Sequence, residues 1–367
     1  MKFLIEKEPL LEALQRVQSI VAQRPTLAIL ANVLLKAEDQ RITLTTTDLE
    51  VSVRTSVEAD VSEEGGTTLP ARRLFSICRA LSGHQVEIET DEKETATIDC
   101  GPSHFKLMGT AEDEFPPLPS FEAGLRYEMD ESVLRQMLEK TCYAASTDES
   151  RYILNGVLLS FKEEKLTAVA TDGRRLAMLE QEVEFPASAE ADYVIPTKTV
   201  HELIRTLGDE GTLRIAATDK ENQISFEYGQ MLVVSKLIEG TFPNFRQVIP
   251  SESEERVAIE REGLLDALKR ASIVTDAQTA SVQLHFCENS LELVTQSPEV
   301  GTAQEKMPIK YDGKDMTIAF NPVFIMDPLR HLESDEIYIE LSDHLSPGVI
   351  KSDIPFLYVI MPIRVNE

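Results

Sequence analysis

Two aspartates stand out because each follows a threonine at the same point of a recurring segment, Thr47-Asp48 in TDLE and Thr171-Asp172 in TDGR. Carboxylates placed in this way are raw material for acid–base or metal chemistry. The matching position of a weaker third copy is Ser297, and no histidine or cysteine cluster accompanies any of the three. A strand-end aspartate that caps its own turn is the simpler account. The six histidines lie singly, without HExxH spacing. The four cysteines (Cys78, Cys100, Cys142, Cys287) are far apart and form no CxxC pair, which argues against a zinc ribbon and a disulfide framework and for reduced thiols. The chain has no phosphate-cradling, dinucleotide-binding or GxSxG motif. The expectation is therefore no catalytic residue, no metal and no cofactor.

The positively charged residues carry more information. With 63 acidic and 36 basic side chains the net charge is −27, and a uniform surface of that sign would repel nucleic acid. The charge is not uniform. Six amphipathic segments read as helices: 8–18, 70–82, 131–141, 196–206, 263–271 and 321–332. Together they carry +4 over 67 residues, leaving −31 on the other 300. Basic residues late in a helix can be explained by its dipole, but Arg72, Arg73 and Lys198 sit in first turns, where a cation is mildly unfavourable. They point outward to an external anion. With no tryptophan and 6% aromatics there is no stacking platform, so contact with phosphates rather than bases is expected.

The elements that hold these residues repeat. TLPARRLFSICRAL (68–81), VIPTKTVHELIRTL (194–207) and AFNPVFIMDPLRHL (319–332) superpose Arg79, Arg205 and Arg330 at offsets of 126 and 125 residues. Pro70 and Pro196 suit a helix start, Asn321 suits a cap, and Pro328 should kink or shorten the third helix. Another helix and a strand pair precede each copy. Asp39-Gln40, Glu163-Glu164 and Glu288-Asn289 read as hairpin turns. FPPLPS (115–120) and FPNFRQVIPS (242–251) mark linkers. The chain therefore divides into three α+β domains, 1–121, 122–252 and 253–367, each with two helices and several antiparallel strands. No stretch of 18 or more residues is both apolar and uncharged, and the N-terminus lacks a secretory h-region, so a cytoplasmic protein without membrane spans is expected.

RYILNGVLL (151–159), ATDGRRLA (170–177), FPNFRQVIP (242–250) and the terminal YVIMPIR (358–364), in that order, resemble the bacterial DNA polymerase III beta subunits, the beta sliding clamps. RPTLAIL (24–30), TDLE (47–50) and PARRLFSICR (70–79) extend the resemblance over the whole chain. It implies three repeated clamp domains with helices on curved antiparallel sheets, and a six-domain ring formed by a head-to-tail homodimer. Duplex DNA would pass through the hole without sequence preference. The ring would be placed by a clamp loader and would tether polymerases and repair proteins through short linear motifs.

Carried over by position, the resemblance implies DNA contacts at Arg24, Arg72, Lys198 and Arg205. Asp148 and Thr197 stand where some members place DNA-touching residues. It implies a partner-peptide groove at Arg151, Leu154, Thr171, Gly173, Arg174, Arg175, Leu176, Pro243 and Val248, completed by Val359, Ile360, Met361, Pro362, Ile363 and Arg364. Aliphatic residues and methionine suit an adaptable pocket for apolar anchors. Ile153, Arg174 and Gln247 depart from residues found in some members, so motif preference at the groove edge is expected to differ. It further implies a dimer interface of Arg73, Phe105 and Leu107 against Ile273 and Val274, with Glu299 and Glu305 as acidic partners. Few carboxylates there predict an interface dominated by apolar contact. The rival readings are an enzyme, an acidic protein-binding scaffold without DNA, and a specialised clamp paralogue.

Overall fold

The structure is a computed structural model and describes residues 1–21, 25–118, 125–218, 222–251, 253–275 and 281–364. The same element order occurs three times, with one additional strand, β5, in the first. In the first repeat β1 (Lys2–Glu6) leads into α1 (Lys7–Val17). Then come β2 (Asn32–Glu38), β3 (Arg41–Thr47), β4 (Val51–Glu58), β5 (Asp60–Glu63) and β6 (Gly65–Pro70), α2 (Ala71–Ala80), and β7 (Gln85–Thr90), β8 (Thr95–Cys100) and β9 (Ser103–Met108). The second repeat runs β10 (Leu125–Asp130), α3 (Glu131–Glu139), β11 (Gly156–Lys162), β12 (Lys165–Thr171), β13 (Arg175–Glu182), β14 (Ala191–Pro196), α4 (Thr197–Thr206), β15 (Thr212–Thr218), β16 (Gln223–Tyr228) and β17 (Met231–Lys236). The third runs β18 (Glu255–Glu260), α5 (Arg261–Ala271), β19 (Val282–Cys287), β20 (Ser290–Ser297), β21 (Gly301–Pro308), β22 (Met316–Phe320), α6 (Pro322–His331), β23 (Glu336–Leu341), β24 (Gly348–Lys351) and β25 (Phe356–Ile360).

The expected hairpins form. Asp39-Gln40 and Glu163-Glu164 adopt positive φ at both residues, and Asn289 does so at 55°, as two-residue turns between right-twisted strands demand. The flanking pairs Glu38↔Arg41, Lys162↔Lys165 and Cys287↔Ser290 close them.

The chain forms two compact units, 1–132 with 201–237, and 133–200 with 238–367. The first holds a sheet in the order β5-β1-β7-β8-β9 and an eight-stranded sheet in the order β10-β15-β16-β17-β4-β3-β2-β6. The second holds an eight-stranded sheet in the order β14-β11-β12-β13-β25-β24-β23-β18 and a sheet in the order β21-β20-β19-β22. Each eight-stranded sheet therefore takes four strands from one repeat and four from the next, joined by β17 to β4 and by β25 to β13. The helices bury one face each, α1 through Leu10, Ala13, Leu14 and Val17, and α5 through Leu264, Leu265, Leu268 and Ala271.

One sequence expectation needs correction. Pro328 does not shorten α6, which has ten residues, as α2 and α4 do. Proline lacks the N–H that would bond the carbonyl four residues earlier. That carbonyl, of Phe324, instead accepts the hydroxyl of the fully buried Tyr358 at 2.7 Å. Asn321 caps the helix as expected, accepting from Val323 N at 2.9 Å.

Candidate functional site

The expected groove starts from a strand pattern. In β13 alternation places Leu176 and Met178 on one face, and the neighbouring strands add Leu158, Val169, Val194 and Val359 to the same buried cluster. The segment 238–249 lies over this face, with Ile238, Phe242, Phe245 and Ile249 half-buried against it, beside Ile153 and Leu357. Apolar side chains remain exposed around it: Val248 at 49%, Met361 at 43% and Ile363 at 38%. The C-terminal segment is fixed by two backbone bonds on either side of Pro362. Met361 N donates to Arg174 O at 2.9 Å, and Ile363 N donates to Ala319 O at 2.7 Å.

Thr171-Asp172-Gly173 forms the adjoining turn. Asp172 Oδ1 accepts from the backbone N–H of Arg174 at 2.8 Å and of Arg175 at 3.0 Å, and Gly173 takes φ of +84°. Asp48 makes the same bonds to Glu50 and Val51 at 3.0 and 2.8 Å, and Ser297 accepts from Val300 N at 3.3 Å. These acceptors cap turns, as the sequence reading expected. Arg151 lies on the Gly173 turn, its Nη1 donating to Asp172 O at 3.3 Å.

Among the expected groove residues, Leu176 and Val359 belong to this cluster, and Met361 is exposed just past the end of β25. Leu154 is buried, its carbonyl accepting Ser146 N at 2.9 Å, while Ile360 is buried at the end of β25. Pro243, Arg174 and Arg364 are exposed. The Arg175 side chain is engaged within the protein. Its side chain is 10% exposed and pairs with Asp172 at 3.1 Å and Asp327 at 2.5 Å. It also donates to Tyr143 O at 2.6 Å and lies 4.3 Å over the Phe324 ring. Burial opposes its charge, and the surrounding Tyr358 and Asp327 more than compensate. A buried guanidinium needs such partners, so Arg175 pins the turn to α6 and is not a free peptide donor. Met178, Phe242, Phe245, Ile249 and Asp327 were missed. Alternation along RLAML points to Met178; Phe242 and Phe245 lie in the linker motif FPNFRQVIP, which has no periodicity to show which way they face.

The expected DNA contacts are divided. Lys198 is exposed in the first turn of α4. Arg72 is exposed and donates to Val21 O at 2.9 Å. Arg205 donates to Arg16 O at 2.7 Å and Ser19 Oγ at 2.8 Å, and it pairs with Glu202. Glu202 is 5% exposed, and a carboxylate that buried requires a cation. Arg205, although exposed, thus spends its Nε and Nη2 donors on protein acceptors. Arg24 lies outside the described residues. Asp148 caps a turn, accepting from Ser150 N at 3.0 Å and Ser150 Oγ at 2.7 Å; these bonds hold its carboxyl below the usual range.

At the expected dimer faces, β9 and β21 are edge strands of their sheets. Phe105 is 38% exposed on β9, Leu107 is buried, and Arg73 is exposed on α2. Ile273 is 76% exposed, with Val274 half-buried beside it, and Glu299 is exposed. Glu305 is already engaged: Arg270 donates to both its oxygens at 3.0 and 2.8 Å and holds its carboxyl below the usual range. Met108 and Val300 are also exposed, at 72% and 56%.

Models of the DNA polymerase III beta subunit match the chain in order, the N-terminal domain over residues 1–119, the central domain over 128–244 and the C-terminal domain over 246–364. The chain belongs to the DNA polymerase III beta subunit family. The beta sliding clamp of Chlamydia muridarum is 36% identical over the full length of both chains. That of Escherichia coli K12 is 33% identical, over 99% of this chain and 100% of its own. The crystal structure of the sliding clamp of Pseudomonas aeruginosa bound to griselimycin superposes with a TM-score of 0.95 at 32% identity, covering both chains completely. As a family member the chain is a DNA sliding clamp, a non-catalytic processivity factor of DNA replication built from three clamp domains. Among the described residues no helix is long and apolar enough to cross a membrane, and no group of three or more potential metal ligands occurs.

Proposed function

We propose that the chain acts in the cytoplasm as a head-to-tail homodimeric ring of six domains. It encircles duplex DNA, is placed there by a clamp loader, and tethers DNA polymerases and repair proteins through short linear motifs. The domains are 1–121, 122–252 and 253–367. The observation that carries this reading is the match of all three beta subunit domains, in order, along the whole chain.

Ring closure is assigned to the two edge strands β9 and β21, because an exposed edge with unpaired backbone groups is ready to accept another strand. Phe105, Leu107, Ile273 and Val274 supply the apolar contact, with Arg73 facing Glu299 as a modest electrostatic addition. Partner motifs bind over Leu176, Val359, Val248, Met361 and Ile363, where apolar anchors displace water from the exposed lip of a buried cluster. Arg151, Arg174 and Arg364 supply hydrogen bonds to an extended peptide. Arg72 and Lys198 contact phosphates inside the ring, joined by Arg24 and by the unused donors of Arg205.

The test is loading onto a nicked circular plasmid with a clamp loader and ATP. Retention on the circle, lost on linearisation, is expected. Equal retention on both forms would overturn topological enclosure.

A further inference from the structure

The register that builds the groove recurs, position for position, in the first eight-stranded sheet. Leu158↔Val169 corresponds to Leu34↔Thr45, and Val169↔Met178 to Thr45↔Arg54. Leu158↔Val194 corresponds to Leu34↔Thr68, and Leu176↔Val359 to Ser52↔Val234. The covering segments correspond too, Phe242-Pro243 in one case and Phe115-Pro116 in the other. The chemistry differs. Of the six positions that form the apolar cluster of the groove, only Leu34 and Val234 stay aliphatic in the first sheet; the other four are Thr45, Ser52, Arg54 and Thr68.

A cleft of about 820 Å³ opens over this polar face. One row of its floor runs across the strands as Glu227, Leu232, Arg54, Thr45 and Leu34. Arg54 occupies the place of Met178. Its side chain is exposed and makes no ion pair or hydrogen bond among the described residues. Lys36 on the same floor is instead paired with Glu112 at 3.6 Å.

We propose that this cleft is a second docking site, for an extended peptide segment of a partner protein that carries one acidic side chain flanked by aliphatic residues. The carboxylate meets the Arg54 guanidinium, whose forked donors match two carboxylate oxygens. Leu34, Leu232 and Leu118, each half-buried, receive the aliphatic neighbours. The exposed carboxylates Glu38, Asp113 and Glu227 line the same cleft and repel a second negative charge, so the site selects a singly acidic segment. The cleft includes Leu34, Thr45 and Arg54, the counterparts of Leu158, Val169 and Met178 beneath the partner groove, with the methionine position converted to a charge reader.

The test uses the full-length protein and three fluorescein-labelled heptapeptide pools. Each pool is degenerate in aliphatic residues and centred on glutamate, glutamine or lysine. The glutamate pool is expected to bind roughly tenfold more tightly than the glutamine pool. Arg54→Glu should abolish that preference without changing the thermal melt, because the side chain is exposed. Met361→Ala, which alters the groove, should leave it intact. Equal binding of the three pools, the lysine pool binding best, or a glutamate preference that survives Arg54→Glu would each overturn the proposal.

Discussion

Leu49 adopts φ of +76° in the turn where the next repeat has Gly173 at +84°. Both turns are closed by the same threonine and aspartate bonds, so the local geometry is imposed and only the cost differs. A side chain in this region costs about 1–2 kcal/mol, and glycine gives back part of that in unfolded-state entropy. Leu49→Gly is therefore expected to stabilise the protein by about 0.5–1 kcal/mol in urea titration; a loss of stability would show that the exposed leucine makes a contact worth more than its strain. The buried thiols set the response to alkali. Burial, with Cys100 nearby, pushes Cys78 up to about 12, and burial pushes Cys142 up to about 11. In the unfolded chain thiols ionise near ~8.5. Above that pH the unfolded state loses protons that the folded state retains, so stability falls as pH rises, by up to about 1.4 kcal/mol per pH unit for each thiol, and is unaffected below pH ~8. Urea midpoints from pH 7 to 10 should show this decline, and a Cys78→Ala/Cys142→Ala variant should flatten it. Motif position picked out Leu176 and Val359, which the structure brings into one apolar cluster, and the exposed Met361. It did not show that Arg175 is consumed by Asp172 and Asp327, because a partner 152 residues away leaves no local signal.

At the scale of elements, helix starts and hairpins were legible because they depend on neighbouring residues. The sequence helices 70–82 and 196–206 appear as Ala71–Ala80 and Thr197–Thr206. The composition of the sheets was not legible. A strand such as β4 alternates in the same way whether its neighbour comes from its own repeat or from the next, and only the structure pairs it with β17. Pro328 does not shorten its helix for a similar reason, since its compensation comes from Tyr358, thirty residues along the chain. Tyr358→Phe should cost about 1–3 kcal/mol by leaving Phe324 O buried and unpaired. In a Pro328→Ala background the restored N–H can take that carbonyl, and the same change should cost about 1 kcal/mol less. A double-mutant cycle on urea midpoints measures the coupling. Strictly additive effects would mean that the hydroxyl does not serve the proline's missing bond.

For the whole molecule, the charge pattern survives the exact helix boundaries. The observed helices, α1 to α6, again carry +4, which leaves −31 on the other elements. An acidic remainder discourages DNA from adhering elsewhere, and weak phosphate contacts on the helices suit a protein that holds DNA by enclosure rather than by affinity. The proposed groove lies wholly within the unit 133–200 with 238–367, whereas the proposed ring closure joins the edge strand β9 of one chain to β21 of another. Tethering and enclosure should therefore separate. Phe105→Arg combined with Ile273→Arg is expected to give monomers by sedimentation, because each exposed apolar side chain becomes a charge that must be desolvated on association and the two facing charges repel. The monomer should lose retention on circular DNA yet bind a polymerase-derived motif peptide within about twofold of the parent, a difference below ~0.5 kcal/mol. Dissociation of the parent dimer should change little between 0.1 and 0.5 M salt, since Glu305 is neutralised within its own chain by Arg270. Peptide affinity that falls together with dimerisation would show that the groove depends on ring closure, and a steep salt dependence would show that charge pairs, rather than Phe105 and Ile273, hold the ring shut.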